Sequence, residues 1–366
     1  MKIFIGVVVG VWAAVLSQAQ PSVKPAIDGV LSLFQEKPIV VLCDYHGLAQ
    51  QEDFYSALVR DPRFAEKVGN VVVEFGGESS QSVIDRYVAG DDVPADELRR
   101  VWTETPGWVP GPTRVGYINF FVAVRAANSR LAPERRIKVW LGEPKVDWSK
   151  INSVAELRPY IAQRDDNYVR IIRDEIIARK KKALLIIGTG HIFGTAYLRN
   201  KLDKVNPGVL ATVAPFTGYF EPECNAKFVA RAKDWPVPAA VSPTATTSLK
   251  AFLETPGCNF LGPASVKSVL ATPVDKLPPG VTSAEEMLRK DISMLSGEDA
   301  DALLYLGPPD TLTESPYDPA IYLDPAYFKE QDRRRRCCTG PAYQGKLDLD
   351  RLLEQNSAAR RKIRIN

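Results

Sequence analysis

Short runs of valine, isoleucine and leucine recur along the chain, and longer stretches with helical spacing of apolar residues separate them. The runs fall at 38–45 (PIVVLCDY), 70–75 (NVVVEF), 137–142 (IKVWLG), 183–188 (ALLIIG), 209–216 (VLATVAPF) and 301–306 (DALLYL). Continuous apolar runs of this length suit strands covered on both faces. Helices are predicted at 51–60, 79–89, 95–104, 115–131, 153–181, 192–204 and 284–295. Strand and helix in alternation point to an α/β fold with a mainly parallel sheet flanked by helices. Residues 220–282 are rich in proline, glycine, serine and threonine, with segments such as DWPVPAAVSPTATTS. They read as long loops over the C-terminal half.

The two ends of the chain read differently. Lys2, the apolar stretch Ile3 to Leu16 and the small-x-small site Ser17-Gln18-Ala19 have the form of a secretory signal peptide. The stretch is shorter than the roughly 18 residues of a membrane span. The expectation is an exported protein, periplasmic or extracellular, cut after residue 19 and then free of a membrane anchor. Residues 20–345 then form a single α/β domain, and 346–366 a C-terminal helix followed by the basic tail AARRKIRIN. The run Arg333 to Arg336 reads as a solvated face or tail.

Composition narrows the classes. The chain has 366 residues, 45% of them hydrophobic and 25% charged, which is globular rather than disordered. Forty-seven basic against forty-four acidic side chains leave a net charge of +3, too small and too evenly spread for a nucleic-acid partner. Five cysteines in an exported chain permit disulfides and leave at least one thiol unpaired in a monomer. Cys224 and Cys258 lie in turn-rich sequence where they could pair, Cys337 and Cys338 are adjacent, and Cys43 reads as a buried, inert thiol.

Parallel strands deliver their carboxyl ends to one edge, where open α/β folds bind ligands. The first run leads to Asp44 and His46, the second holds Glu74, the third delivers Glu143 and then Asp147, and the fourth runs through Gly188-Thr189-Gly190 into His191. The chain has only two histidines, and both are in this set. Glu74 follows three valines, and a carboxylate buried there requires a cation, a metal or a proton. Glu52 opens the next helix and could point back to the same rim, while Arg164 and Asp165 lie on a helix whose face could reach it. Gly188 and Gly190 resemble a phosphate-binding loop, although Gly194 is one place too late for that motif. Gly188, Gly190, Arg164 and Asp165 are therefore candidates for contact with a cofactor.

The set holds no serine in a GxSxG elbow and no HExxH helix, hence no dedicated nucleophile. It suits activation of water, either by a metal or by a general base. A divalent ion on His46, Glu74 and His191 would be borderline, Zn²⁺, Mn²⁺ or Co²⁺, with Glu143 or Asp147 as acid–base partners. The substrate would be a small molecule or a peptide with an ester or amide bond. The alternative is haem binding without turnover, with an imidazole on the iron and the aromatic stretch Trp102, Trp108, Tyr117, Phe120 and Phe121 as a floor, unless that stretch is core.

The motifs IVVLCDYHG, VVVEFG and LLIIGTGHIFG, with the helix RDDNYVRIIRDEIIARKKK leading into the last of them, resemble the superfamily of erythromycin esterase-like enzymes, ChaN-like haem-binding proteins and TraB/Tiki proteins. The closing Gly-x-x-His is matched by Gly188 to His191, the opening one at His46 with Cys43 in place of glycine. The resemblance covers about residues 38 to 200. It implies a three-layer core and places His46, Glu74 and His191 at the superfamily's catalytic or metal-binding positions. The activities it implies diverge, from ester cleavage through metal-dependent proteolysis to haem binding.

Overall fold

A computed structural model describes residues 20–107, 113–193, 197–278, 281–338 and 347–357. The expected signal segment, Trp108, Gly194 and the last nine residues lie outside them. The fold is α/β, built on one eight-stranded sheet with helices on both faces. Its strands are β1 (Ser22–Pro25), β2 (Ile39–Asp44), β3 (Asn70–Gly77), β4 (Lys138–Glu143), β5 (Ala183–Gly188), β6 (Leu210–Phe216), β7 (Ala239–Ser242) and β8 (Ala302–Tyr305). Across the sheet the order is β1-β7-β8-β6-β2-β5-β3-β4. From β8 to β4 every pairing is parallel, and β7 alone runs against both neighbours.

The six predicted strands form within a residue or two of their expected bounds, because each run is buried on both faces and β-branched side chains pack well on a pleated surface. Alternation then sorts them. Val40, Leu42, Val71, Val73, Leu184 and Ile186 join the core on one face, packed with Phe54 and Tyr55 of the helix Ala49–Arg60 and Phe120 and Phe121 of the helix Val115–Asn128. Ile39, Val41, Cys43, Val72, Leu185 and Ile187 join the other, with Tyr168 and Val169 of the helix Val154–Ile171. Each such side chain contributes about 1.5–3 kcal/mol on burial. In register, Asp44 is level with Gly188, so the first and last chemical motifs leave the sheet side by side. Trp102, Tyr117, Phe120 and Phe121 are buried around Phe75. They are core and cannot floor a flat ligand.

Two expectations are corrected. Residues 220–282 are not merely loops: they contain the helix Pro222–Arg231, strand β7 and the helices Leu249–Leu253 and Pro263–Leu270. Prolines that read as breakers sit at the first position of two of these helices, where a missing N–H costs nothing. The arginine run is a solvated face only in part, with Arg336 exposed. It lies in the helix Pro325–Cys338, where Arg333 donates to the carbonyls of Ile151 and Trp148 and the buried Arg334 donates to the Thr103 carbonyl while lying over the Trp148 ring. Among the described residues no helix is long and apolar enough to cross a membrane.

Cys224 and Cys258 are joined, and so are Cys337 and Cys338; Cys43 is free and buried. The first bridge closes a loop of sequence separation 34, and constraint of the unfolded chain by a loop of that size is worth about 3–4 kcal/mol. Replacing both residues by serine should lower the unfolding free energy by about that amount in a denaturant titration.

Candidate active site

The carboxyl ends of β2, β5, β3 and β4, neighbours in the sheet, carry the side chains to one rim. Ser153 caps the helix Val154–Ile171 by accepting from the Glu156 N–H, and one face of that helix lies over the rim. Asp44, Tyr45, His46, Glu74, Gly107, Arg164, Asp165, Thr189, His191 and Met294 line an open cavity of about 670 Å³ together with Gly188 and Gly190.

Glu74 is the centre. The ladder between β3 and β4 shifts register after Val73, an irregularity of the kind that re-aims a side chain. Glu74 is 4% exposed. One carboxylate oxygen accepts from the Arg164 guanidinium at 2.5 Å, and the other accepts from the Gly188 N–H at 2.5 Å. Burial would raise its pKa, but the charge of His46, a hydrogen bond from His191 and the charge of Arg164 overcome this and hold it well below the usual carboxylate range. Arg164 also holds Glu143 through Nε at 2.8 Å, and the Tyr168 hydroxyl donates to Glu143 at 2.6 Å. Burial pushes the Glu143 carboxyl up, Arg164 opposing it.

Each histidine is backed by a carboxylate. His46 Nδ1 lies 2.7 Å from Asp44, whose oxygens also accept from Tyr55 at 2.7 Å and Tyr117 at 2.5 Å. His191 Nδ1 lies 2.5 Å from Asp165, and its Nε2 lies 3.5 Å from Glu74. Burial favours the neutral ring in both. For His46 the charge of Glu74 and the bond to Asp44 outweigh it, and for His191 the bonds to Asp165 and Glu74 do; each is pushed up to about 9. The His46 side chain is 48% exposed at the cavity mouth and that of His191 17%. Water therefore screens His46 more, and its shift rests on the enclosed carboxylates of Glu74 and Asp44. Gly188 leaves room between the groups: a β-carbon there would lie 2.9 Å from the His46 ring and 3.2 Å from Glu74.

The structure thus brings together His46, Glu74, His191, Glu143, Arg164 and Asp165. Asp147 is elsewhere. Its carboxylate caps the turn Trp148–Lys150 by accepting from Ser149 and pairs with Lys150, and it does not line the cavity. Of the two glycines, Gly188 has its N–H engaged by Glu74, and a β-carbon on Gly190 would meet nothing. His46, Glu74 and His191 do not fit a divalent ion. Both oxygens of Glu74 are held by Arg164 and Gly188, the guanidinium occupies the side a cation would approach, and among the described residues no three His, Cys, Asp or Glu are grouped to hold a metal. Among the described residues that line the cavity, Tyr45 and Met294 are the large apolar surfaces a haem would meet. Of the tyrosines 55, 117 and 168, which brace the carboxylates, Tyr117 enters the sequence reading only as part of a possible floor for a flat ligand, and the other two are absent from it. Their helical spacing marks them only as core.

No protein-family model matches the chain, and no curated protein matches it. Three solved structures resemble it. The type III effector HopBA1 is 14% identical with a TM-score of 0.35, over 54% of this chain and 88% of that one. ChaN of Campylobacter jejuni, described with cofacial haem, is 12% identical with a TM-score of 0.34, over 53% and 86%. A Bacillus cereus protein is 10% identical with a TM-score of 0.40, over 81% and 96%. None of the three similarities assigns a family or an activity to this chain.

Proposed function

We propose that the protein is a hydrolase of ester or amide bonds that activates water by general acid–base chemistry between two carboxylate-backed imidazoles. One observation carries this reading: His46 and His191, each with Nδ1 on a carboxylate, face the same fixed Glu74 in a solvent-open cavity. A carboxylate on Nδ1 fixes the tautomer and leaves Nε2 to exchange protons. In the reading, neutral His46, at the mouth, takes a proton from water while Glu74 orients that water by accepting its other hydrogen. The oxygen of the resulting hydroxide bonds to the carbonyl carbon. Protonated His191 gives its proton to the departing oxygen or nitrogen as the carbonyl bond to it breaks. Arg164, tied to Glu74 and Glu143, holds the acceptor in place.

The pH dependence follows from the two raised values. Turnover requires one imidazole with its proton and one without, and with both near pH 9 that population is largest there. Hydrolysis of a panel of chromogenic nitrophenyl esters and anilides should give a bell with its maximum near pH 9, falling roughly tenfold per unit well to either side. Hydrolysis by none of the panel, or a maximum at neutral pH, would overturn the reading.

A further inference from the structure

Behind the site lies a second buried acid that the proposed chemistry does not use. Glu52, in the first turn of the helix Ala49–Arg60, is 1% exposed. Its carboxyl fills the space that a β-carbon on Gly116 would take, so only glycine fits there. Neither carboxyl oxygen completes a hydrogen bond of good geometry, the Ser315 hydroxyl being the donor that faces it. Its position is telling. Tyr55, one turn along the same helix, and Tyr117, next to Gly116, are the two hydroxyls that hold Asp44. Ser315 accepts from the Gly116 N–H through its hydroxyl, while its own N–H donates to the carbonyl of Gly47, the residue after His46. Glu52 therefore stands where three supports of the Asp44–His46 pair meet.

We propose that Glu52 is a proton-carrying positioning residue, whose charge state sets the field on Asp44 and through it the basicity of His46. Every group facing it is consistent with this role. Asp44 from β2 and Asp53 on its own helix disfavour its ionisation, Arg114 and the Ser315 hydroxyl favour it, and burial outweighs all of them, pushing its carboxyl up to about 8. Arg114 is shared with Glu314 at 3.7 Å, and Tyr55 and Tyr117, held neutral, complete the surroundings. When Glu52 loses its proton, a second negative charge appears behind Asp44 in a poorly solvated space, and His46 binds its own proton more tightly.

This regulation rests on His46 being an acid–base group, but its test reads protons rather than turnover. With two histidines in the chain, two imidazole Hε1 resonances titrate, and His46→Asn identifies the one from His46. In Glu52→Gln, which keeps the shape of the protonated acid, the His46 midpoint should fall by about half a pH unit or more, with His191 unmoved as a control on the fold. In the unsubstituted protein, ¹³C-labelled glutamate should show one carboxyl titrating near pH 8, which needs no variant. The same His46 midpoint in Glu52→Gln, or no glutamate carboxyl titrating above about pH 6, would overturn the proposal. A moved midpoint with no esterase or amidase activity would keep this inference and remove the hydrolase.

Discussion

Arg164→Met should destabilise the protein by about 3–5 kcal/mol at neutral pH, the usual cost of removing one partner from a buried ion network. The guanidinium is the cation for two carboxylates at once, and the side chains of Arg164, Glu74 and Glu143 are 15%, 5% and 0% exposed. Methionine matches its length and leaves both acids without their shared cation in a poorly solvated space, with only Gly188 and the histidines at Glu74 and Tyr168 at Glu143. Glu143, which burial already pushes up, would then hold its proton more tightly in the native state than when unfolded, so the variant loses stability as pH rises through its raised value and regains part of it toward pH 5. Urea unfolding at pH 7 and pH 5 measures this. A loss below about 1 kcal/mol, or one independent of pH, would show that the network contributes less than its geometry implies.

His46→Asn and His191→Asn should each lower kcat on any ester the protein hydrolyses by roughly 10²- to 10⁴-fold, the range of a positioned general acid or base. Asparagine keeps a donor toward Asp44 or Asp165, so the carboxylates stay partnered and the fold is spared. It cannot cycle a proton. The bell should also lose one limb in each variant, the ascending limb without the base and the descending limb without the acid. Full activity in the His191 variant would remove that residue from the reaction, and an unchanged bell in either would do the same for its own limb.

How much of this is legible in the sequence depends on the reach of each signal. Strands such as VVVEF and ALLIIG declare themselves because burial on both faces demands an unbroken apolar run, and parallel topology then carries His46, Glu74, Glu143 and His191 to one edge. Asp147 shows the limit of that argument. It lies only four residues beyond Glu143, but the strand has ended, and its carboxylate satisfies the backbone of the turn that follows it. Strand β7 (Ala-Ala-Val-Ser) carries almost no strand signal of its own and is set by β8 and β1 on either side. The bracing role of Tyr55, Tyr117 and Tyr168 is hidden in the sequence for a related reason. A helical tyrosine is apolar by pattern, and only the approach of another element decides what its hydroxyl meets. The role of Arg164 between two acids, which displaces the expected metal, likewise depends on a contact across 90 residues of sequence.

The arginines of the helix Pro325–Cys338 have a consequence for biosynthesis. They grip carbonyls at the approach to the helix that bears Arg164 and Asp165, and β8 lies between β6 and β7 in the sheet. A nascent chain emerging amino end first can pair β2, β3, β4 and β5 early, yet the pocket wall waits for Met294 and its clamp for Arg333. The rim that carries His46 and His191 is thus complete only once Arg333 has been made, and a shorter piece of the chain lacks part of its wall.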